Sequence, residues 1–279
     1  MRGPPHREGL FVPRPGAFDA SACSGSGSEY NPAHGEIVQV SVVVPTYNEA
    51  NNLPTLVGEL LTQPISELHL LIVDDNSPDG TGQLAEELAA RTPDRLDVLH
   101  RTGPRGLGRA YVDGFRWALE HGAEAVVQMD ADFSHSPTDV PRLVAKMAEF
   151  DVAVGSRYVS GGKIDEHWSF GRYALSWWAN FYARSILGLR THDTTAGFKC
   201  WRRSALEAID LDRIRSNGYI FQVEMAYVSE RLALCICEVP IYFEDRRIGK
   251  SKMTVPVKFE AAWRVFQVWW HHHNIRPLQ

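Results

Sequence analysis

Asp130 and Asp132 stand two residues apart in Gln128-Met129-Asp130-Ala131-Asp132-Phe133, directly after the apolar pair Val126-Val127. Two carboxylates at the mouth of a strand can hold a divalent cation against a diphosphate, where the cation serves as a Lewis acid for the departing phosphate. Paired acids in a surface turn are common, so the motif draws its meaning from the strand that ends in it. Ser41-Val42-Val43-Val44-Pro45-Thr46-Tyr47-Asn48-Glu49 and Leu71-Ile72-Val73-Asp74-Asp75-Asn76-Ser77 repeat the design of an apolar strand emptying into a polar loop. Asp75 can accept hydrogen bonds from a nucleobase or ribose, while Ser77, Asp79 or Thr81 can cap the helix that follows. Tyr47 offers a ring for stacking and Glu49 an acceptor. The simpler alternative is a strand-to-helix turn.

Two further segments bear on phosphate chemistry. Arg246-Arg247-Ile248-Gly249-Lys250-Ser251-Lys252 gathers cations round a glycine, an arrangement suited to closing over a diphosphate. Gly103-Pro104-Arg105-Gly106-Leu107-Gly108 is glycine-rich but lacks the Gly-x-Gly-x-x-Gly spacing and a normal preceding strand, which excludes a dinucleotide-binding dehydrogenase. His271-His272-His273 cannot share one helix face, so no metal site is expected there.

The elements that must position these residues follow from periodicity. Strands are expected at Val40 to Val44, Leu68 to Val73, Asp97 to His100, Ala125 to Met129, Val152 to Gly155 and Val239 to Phe243. Helices are expected at Asn51 to Leu61, Gly80 to Arg91, Gly108 to His121, Pro141 to Phe150 and Phe170 to Leu189. This alternation predicts an α/β fold with a mainly parallel central sheet covered by helices, in which ligands lie beyond the carboxyl ends of the strands. Residues 1–36, rich in Pro, Ser and Gly, read as a disordered leader, residues 37–254 as one domain, and residues 255–279 as an amphipathic aromatic tail.

The chain has 279 residues, is 44% hydrophobic, and carries a net charge of -5, which excludes the overall basic field of a nucleic-acid binder. Its 4 cysteines show no zinc-like spacing or disulfide framework, which suits the cytoplasm. Cys235 and Cys237 read as small core residues on one face of a strand. No run approaches the roughly 20 apolar residues needed to cross a bilayer. The helix from Phe170, with Tyr173, Trp177, Trp178 and Phe181, and the tail, with Phe259, Trp263, Phe266 and Trp270, suit either a membrane interface or packing on the domain.

Taken in order, the motifs resemble glycosyltransferase family 2, in particular its polyprenol-phosphate and dolichol-phosphate mannose synthases. The resemblance runs from about Val40 to Lys252. It also takes in Gly155-Ser156-Arg157-Tyr158, Asp193-Thr194-Thr195-Ala196-Gly197-Phe198-Lys199 and Gly218-Tyr219-Ile220-Phe221-Gln222-Val223-Glu224. It implies a GT-A fold, GDP-mannose as donor and a polyprenyl phosphate as acceptor. By resemblance Pro45, Tyr47, Glu49, Val73 and Asp75 hold the nucleoside, Asp130, Ala131 and Asp132 the metal and diphosphate, and Arg157, Arg246 and Lys252 the phosphates. Asp132 and Arg157 are the expected catalytic residues, with Mg²⁺ or Mn²⁺ as cofactor. Ser134 stands where some relatives have a metal-reaching glutamine, so it would act through water.

These readings predict metal-dependent, inverting transfer of mannose to give a β-mannosyl phosphopolyprenol. The acceptor phosphate is already ionised, so no general base is needed. Asp193 can orient acceptor or sugar, or cap a helix. Peripheral association with the cytoplasmic face of a membrane is expected, with a membrane partner protein left open. Three alternatives stand: a family 2 transferase using UDP-glucose, a non-catalytic binding subunit, and a sugar nucleotidyltransferase, which would carry a basic glycine loop where this chain has Thr46-Tyr47-Asn48-Glu49.

Overall fold

The computed structural model describes residues 39–245 and 255–277, which belong to one compact unit. The expected leader, Arg246 and Lys252 lie outside the described residues. β1 (Gln39–Thr46), α1 (Leu53–Leu61), β2 (Glu67–Asp74), α2 (Thr81–Arg91), β3 (Leu96–His100), α3 (Leu107–Glu120) and β4 (Ala125–Gln128) alternate as the sequence predicts. α4 (Val140–Ala145), β5 (Val152–Ser156), β6 (Lys163–Ile164), α5 (Phe170–Leu187), β7 (Lys199–Arg202), α6 (Arg203–Ala208), α7 (Tyr219–Arg231), β8 (Ile236–Pro240), β9 (Tyr242–Phe243) and α8 (Val255–His272) complete the chain. The main sheet has seven strands in the order β3-β2-β1-β4-β7-β5-β8, and β6 pairs with β9.

Both sheet faces are covered, which is why β1 and β2 read as near-continuous apolar runs rather than alternating ones. Val40, Val42 and Val44 join Leu53, Leu56 and Leu60 of α1 in one buried cluster. Val43 points the other way, into a cluster with Phe115, Trp201 and Phe221. α3 lies close on that face because Gly114 has no side chain; a Cβ there would stand 2.4 Å from Val43 Cγ1.

β7 was not visible as a strand. It runs antiparallel to both neighbours, with Val127 opposite Cys200 and Ala153 opposite the same residue. Lys199-Cys200-Trp201-Arg202 shows no apolar run, because both its cations are buried rather than solvated. α7 also escaped the helical pattern, since Ile220 through Ser229 are all buried and leave no polar face. The expected strand from Val239 to Phe243 divides at Ile241, its first part staying on the main sheet and its second pairing with β6. Cys237 is buried as expected, whereas Cys235 is half-buried just before β8.

α5 buries only Asn180, Ala183 and Leu187. Phe170, Trp177 and Phe181 are 84%, 52% and 56% exposed, whereas Tyr182 packs against the buried cluster, so the helix divides its aromatics between core and surface. α8 docks Val265 and Val268 against Ala183 and Leu187 while leaving Trp263 and Trp270 outside. Among the described residues no helix is long and apolar enough to cross a membrane.

Candidate active site

The register sets Thr46 beside Asp74, Asp74 beside His100, and Val43 beside Gln128, so the carboxyl ends of β1 to β4 open on one edge. Three of the exits share a device. Asn48, Asn76 and Phe133 have φ of 61°, 59° and 61°, the left-handed region that non-glycine residues seldom adopt. For Phe133 the conformation costs about 1–2 kcal/mol, and it folds the chain back so that Ser134 N donates to Asp132 Oδ1 at 3.1 Å.

At the end nearest β2 and β3, Asp75 is tied on both oxygens. Arg101 Nη1 donates to Oδ1, and Gly106 N donates to Oδ2 at 2.7 Å. Arg101 is itself buried, with Nε on Asp113 at 2.7 Å. Asp75 therefore fixes the glycine-rich loop at the edge of the sheet. Tyr47 accepts from Arg105 Nη1, whose guanidinium lies 4.8 Å over its ring. Glu49 accepts from Asn52 Nδ2 at 2.7 Å while its backbone N donates to Thr81 Oγ1 at 3.0 Å, so it also builds the start of α1. Pro45 and Val73 are buried neighbours in the sheet. They form the floor beneath these loops.

At the end of β4, Tyr111 donates its hydroxyl to Asp130 Oδ1 at 2.6 Å. Burial and the Asp130 charge push the Tyr111 phenol well above its usual pKa, so it stays a donor. Gly197 keeps space beside the other oxygen; a Cβ there would stand 3.0 Å from Asp130 Oδ2. Ala131, Asp132 and Ser134 are buried around this turn. No group of three or more His, Cys, Asp or Glu side chains suited to a metal occurs among the described residues. Two carboxylates with room beside them nonetheless fit a hard cation that completes its shell with phosphate oxygens and water, as Mg²⁺ does. His135, which the motifs do not mark, is buried against Phe198 and Phe243, and its Nδ1 has no hydrogen-bond partner among the described residues. Burial holds its pKa below the usual value, opposed by Asp130 and Asp132.

Arg157 is not a free cation. Its Nε and Nη2 each reach Asp193 at 2.7 Å, Nη2 also donates to Thr195 Oγ1 at 2.8 Å, and Phe243 lies 5.0 Å beneath the guanidinium. Asp193 is fully buried and caps no helix; its N donates to Glu238 Oε1 at 3.0 Å. Burial raises the Asp193 pKa, but the Arg157 charge and hydrogen bonds outweigh it and hold the carboxyl below its usual value. Asn180 of α5 accepts from both the N and the hydroxyl of Thr194 at 2.9 Å, locking the same segment to the aromatic helix. Lys199 is buried alongside, its Nζ on Gln222 Oε1 at 2.7 Å. The motif order had marked Asp193-Thr194-Thr195 and Lys199, but only the fold joins them to Arg157.

The histidine run in the tail resolves differently from a metal site. His272 turns inward and bonds Glu224 of α7 at 2.7 Å, while His271 and His273 bond backbone oxygens. That contact anchors α8.

A seven-stranded, mostly parallel sheet with acidic and basic loops at one edge is the GT-A architecture. Residues 41–210 match the glycosyl transferase family 2 model, and the chain belongs to that family. It is an enzyme of the glycosyltransferase class. A polyprenol monophosphomannose synthase of Mycolicibacterium smegmatis is 47% identical over 225 residues, covering 80% of this chain and 84% of that protein. An undecaprenyl-phosphate mannosyltransferase of Micrococcus luteus is 46% identical, covering 81% and 91%. Among solved structures, glucosyl-3-phosphoglycerate synthase of Mycobacterium tuberculosis with Mn²⁺, UDP and glucosyl-3-phosphoglycerate superposes with a TM-score of 0.60 at 18% identity, covering 86% of this chain and 81% of that one. At that identity the likeness concerns the fold.

Proposed function

We propose that the protein transfers mannose from GDP-mannose to a polyprenyl phosphate with inversion, giving a β-mannosyl phosphopolyprenol. The observation that carries this reading is the pairing of β4, which runs into Asp130 and Asp132, with β7, which follows the Asp193 segment bound by Arg157, in a chain 47% identical to a named polyprenol monophosphomannose synthase. Asp130 and Asp132 are the residues that would hold Mg²⁺ or Mn²⁺, with Ser134 reached through water. The Mn²⁺ present in the glucosyl-3-phosphoglycerate synthase structure supports a divalent cation in this fold. A cation so held would supply Lewis-acid stabilisation of the departing diphosphate.

The chain's own residues do the positioning. Tyr47, Glu49 and Asp75, above the Pro45 and Val73 floor, receive the nucleoside. Arg157, oriented by Asp193, faces the acceptor phosphate. Arg246 and Lys252 would close on the phosphates. A phosphate oxygen of the acceptor forms the new bond to the anomeric carbon as the bond to the diphosphate oxygen breaks, and the electron pair leaves with GDP. No base is required because the nucleophile is already anionic. Rate then depends on alignment and fixed charge.

The lipid approaches from the side of α5. Arg157, Lys163, Trp168, Phe170 and Tyr173 line a cavity of about 430 Å³ there. Phe170, Trp177, Phe181, Trp263 and Trp270 stand exposed on α5 and α8, as peripheral contact with the cytoplasmic face of a membrane requires. A membrane partner protein could share that surface. The leader, catalytic domain and tail divide at residues 36 and 254.

The test supplies radiolabelled GDP-mannose or UDP-glucose with polyprenyl phosphate, with and without Mg²⁺ or Mn²⁺. Metal-dependent label from GDP-mannose in the organic phase is expected. Label from UDP-glucose alone, or none from either donor with membranes added, would overturn the reading.

A further inference from the structure

The nucleoside end contains a second arginine beside Arg101. Arg101 is consumed by Asp75 and Asp113 and is buried. Arg105, four residues later, is exposed at the rim. Its guanidinium lies 4.8 Å over the Tyr47 ring and donates one bond, from Nη1 to the Tyr47 hydroxyl. It makes no other side-chain hydrogen bond to the described residues.

The loop that carries Arg105 is held on both sides. Gly106 N is bonded to Asp75 Oδ2 at 2.7 Å, and Asn217 Nδ2 donates to the Arg105 carbonyl at 3.5 Å. Asn217 Oδ1 also accepts from Gly108 N at 2.9 Å. A Cβ on residue 106 would stand 1.8 Å from Asn217 Nδ2, so glycine is required for the latch to close. A long cationic side chain is thus projected from a fixed backbone onto the face of the ring expected to stack on the base.

We propose that Arg105 is a specificity-determining residue that reads the nucleobase, turning from the Tyr47 face to the edge of the base when the donor binds. The inference rests on the GDP-mannose reading. A planar guanidinium fork matches two adjacent acceptors, as O6 and N7 of guanine provide. Uracil presents a single carbonyl on the corresponding edge and meets only one arm of the fork. The contacts surrendered are a solvent-exposed cation–π pair and one rim hydrogen bond to the Tyr47 hydroxyl, against which the fork gains two hydrogen bonds to the base.

The experiment measures equilibrium binding of GDP, GMP, UDP and 7-deaza-GDP to the full chain and to its Arg105→Ala and Arg105→Lys variants. Thermal unfolding confirms that each variant folds. The expected result is a wild-type preference for GDP over UDP, which falls by about tenfold or more in Arg105→Ala. GDP and GMP should weaken alike, UDP should weaken less because uracil loses a single contact, and lysine should not restore the loss. Wild type should bind 7-deaza-GDP, which lacks N7 but keeps O6, more weakly than GDP and more tightly than Arg105→Ala binds GDP, and Arg105→Ala should bind GDP and 7-deaza-GDP alike.

If wild type does not prefer GDP, the donor reading fails and this inference with it. If wild type prefers GDP and Arg105→Ala keeps the full preference, only the inference fails. Equal weakening of GDP and UDP, with GMP weakened less than GDP, would place Arg105 on the diphosphate and also overturn it.

Discussion

The two halves of the sheet hold their charges in opposite ways. On the side β3-β2-β1-β4, the acids sit at strand exits: Asp130 is only half-buried, and Asp75 and Asp132 are on the loop side of their strands. On the side β7-β5-β8, Arg157, Asp193, Lys199 and Glu238 form a network packed inside the protein, and the exposed bulk is aromatic. The first half resembles a preformed rim for a polar ligand. The second spends its charges on holding one segment rigid beside an apolar surface. Removing the Asp132 charge from the rim should therefore cost activity first, whereas removing one from the Arg157–Asp193 pair should cost stability as well.

Three substitutions test that contrast. The largest effect is expected for Asp132→Ala. Transfer should fall on the order of 10²–10³-fold or more through loss of transition-state charge stabilisation, while the unfolding midpoint stays within a few degrees. Near-normal turnover would remove Asp132 from the chemistry; collapse of the fold would erase the contrast.

Asp193→Asn should act on both quantities. It leaves the Arg157 guanidinium buried without its counter-charge, a change that costs about 3–5 kcal/mol in comparable buried pairs. Denaturant unfolding reads this directly. A loss below about 1 kcal/mol would show that the pair is no more than a surface contact.

The smallest effect is a pH slope. Burial pushes the Lys199 ammonium down to about 7, with Asp193 and Asp130 opposing the fall. Between that value and the usual 10.5 the unfolded chain holds more protons than the folded one. Stability from this residue accordingly rises with pH across the window and is lowest below it. Lys199→Met should flatten the rise between pH 7 and pH 9 in denaturant titrations. An unaltered slope would mean that Lys199 is hydrated in solution.

The rim was legible because its acids follow strands that are mostly apolar, and a parallel sheet buried on both faces announces itself in such runs. Asp75 and Asp130 could be placed at one edge from alternation alone. The network was not legible in the same way. β7 hides two buried cations in four residues, and α7 has no polar face to reveal a helical period. The motif order marks Arg157 as a phosphate-engaging cation, but only the fold sets Asp193, 36 residues away, against its Nε and Nη2.

The amino-acid sequence by itself determined the α/β alternation, the strand-end placement of the acids and the family, because hydrophobic period and short motifs are local properties. Only the tertiary structure decided which carboxylate meets which cation, which histidine of the run at 271–273 turns inward, and which aromatics remain outside. Those outcomes depend on side chains far apart in the chain competing for the same buried partners.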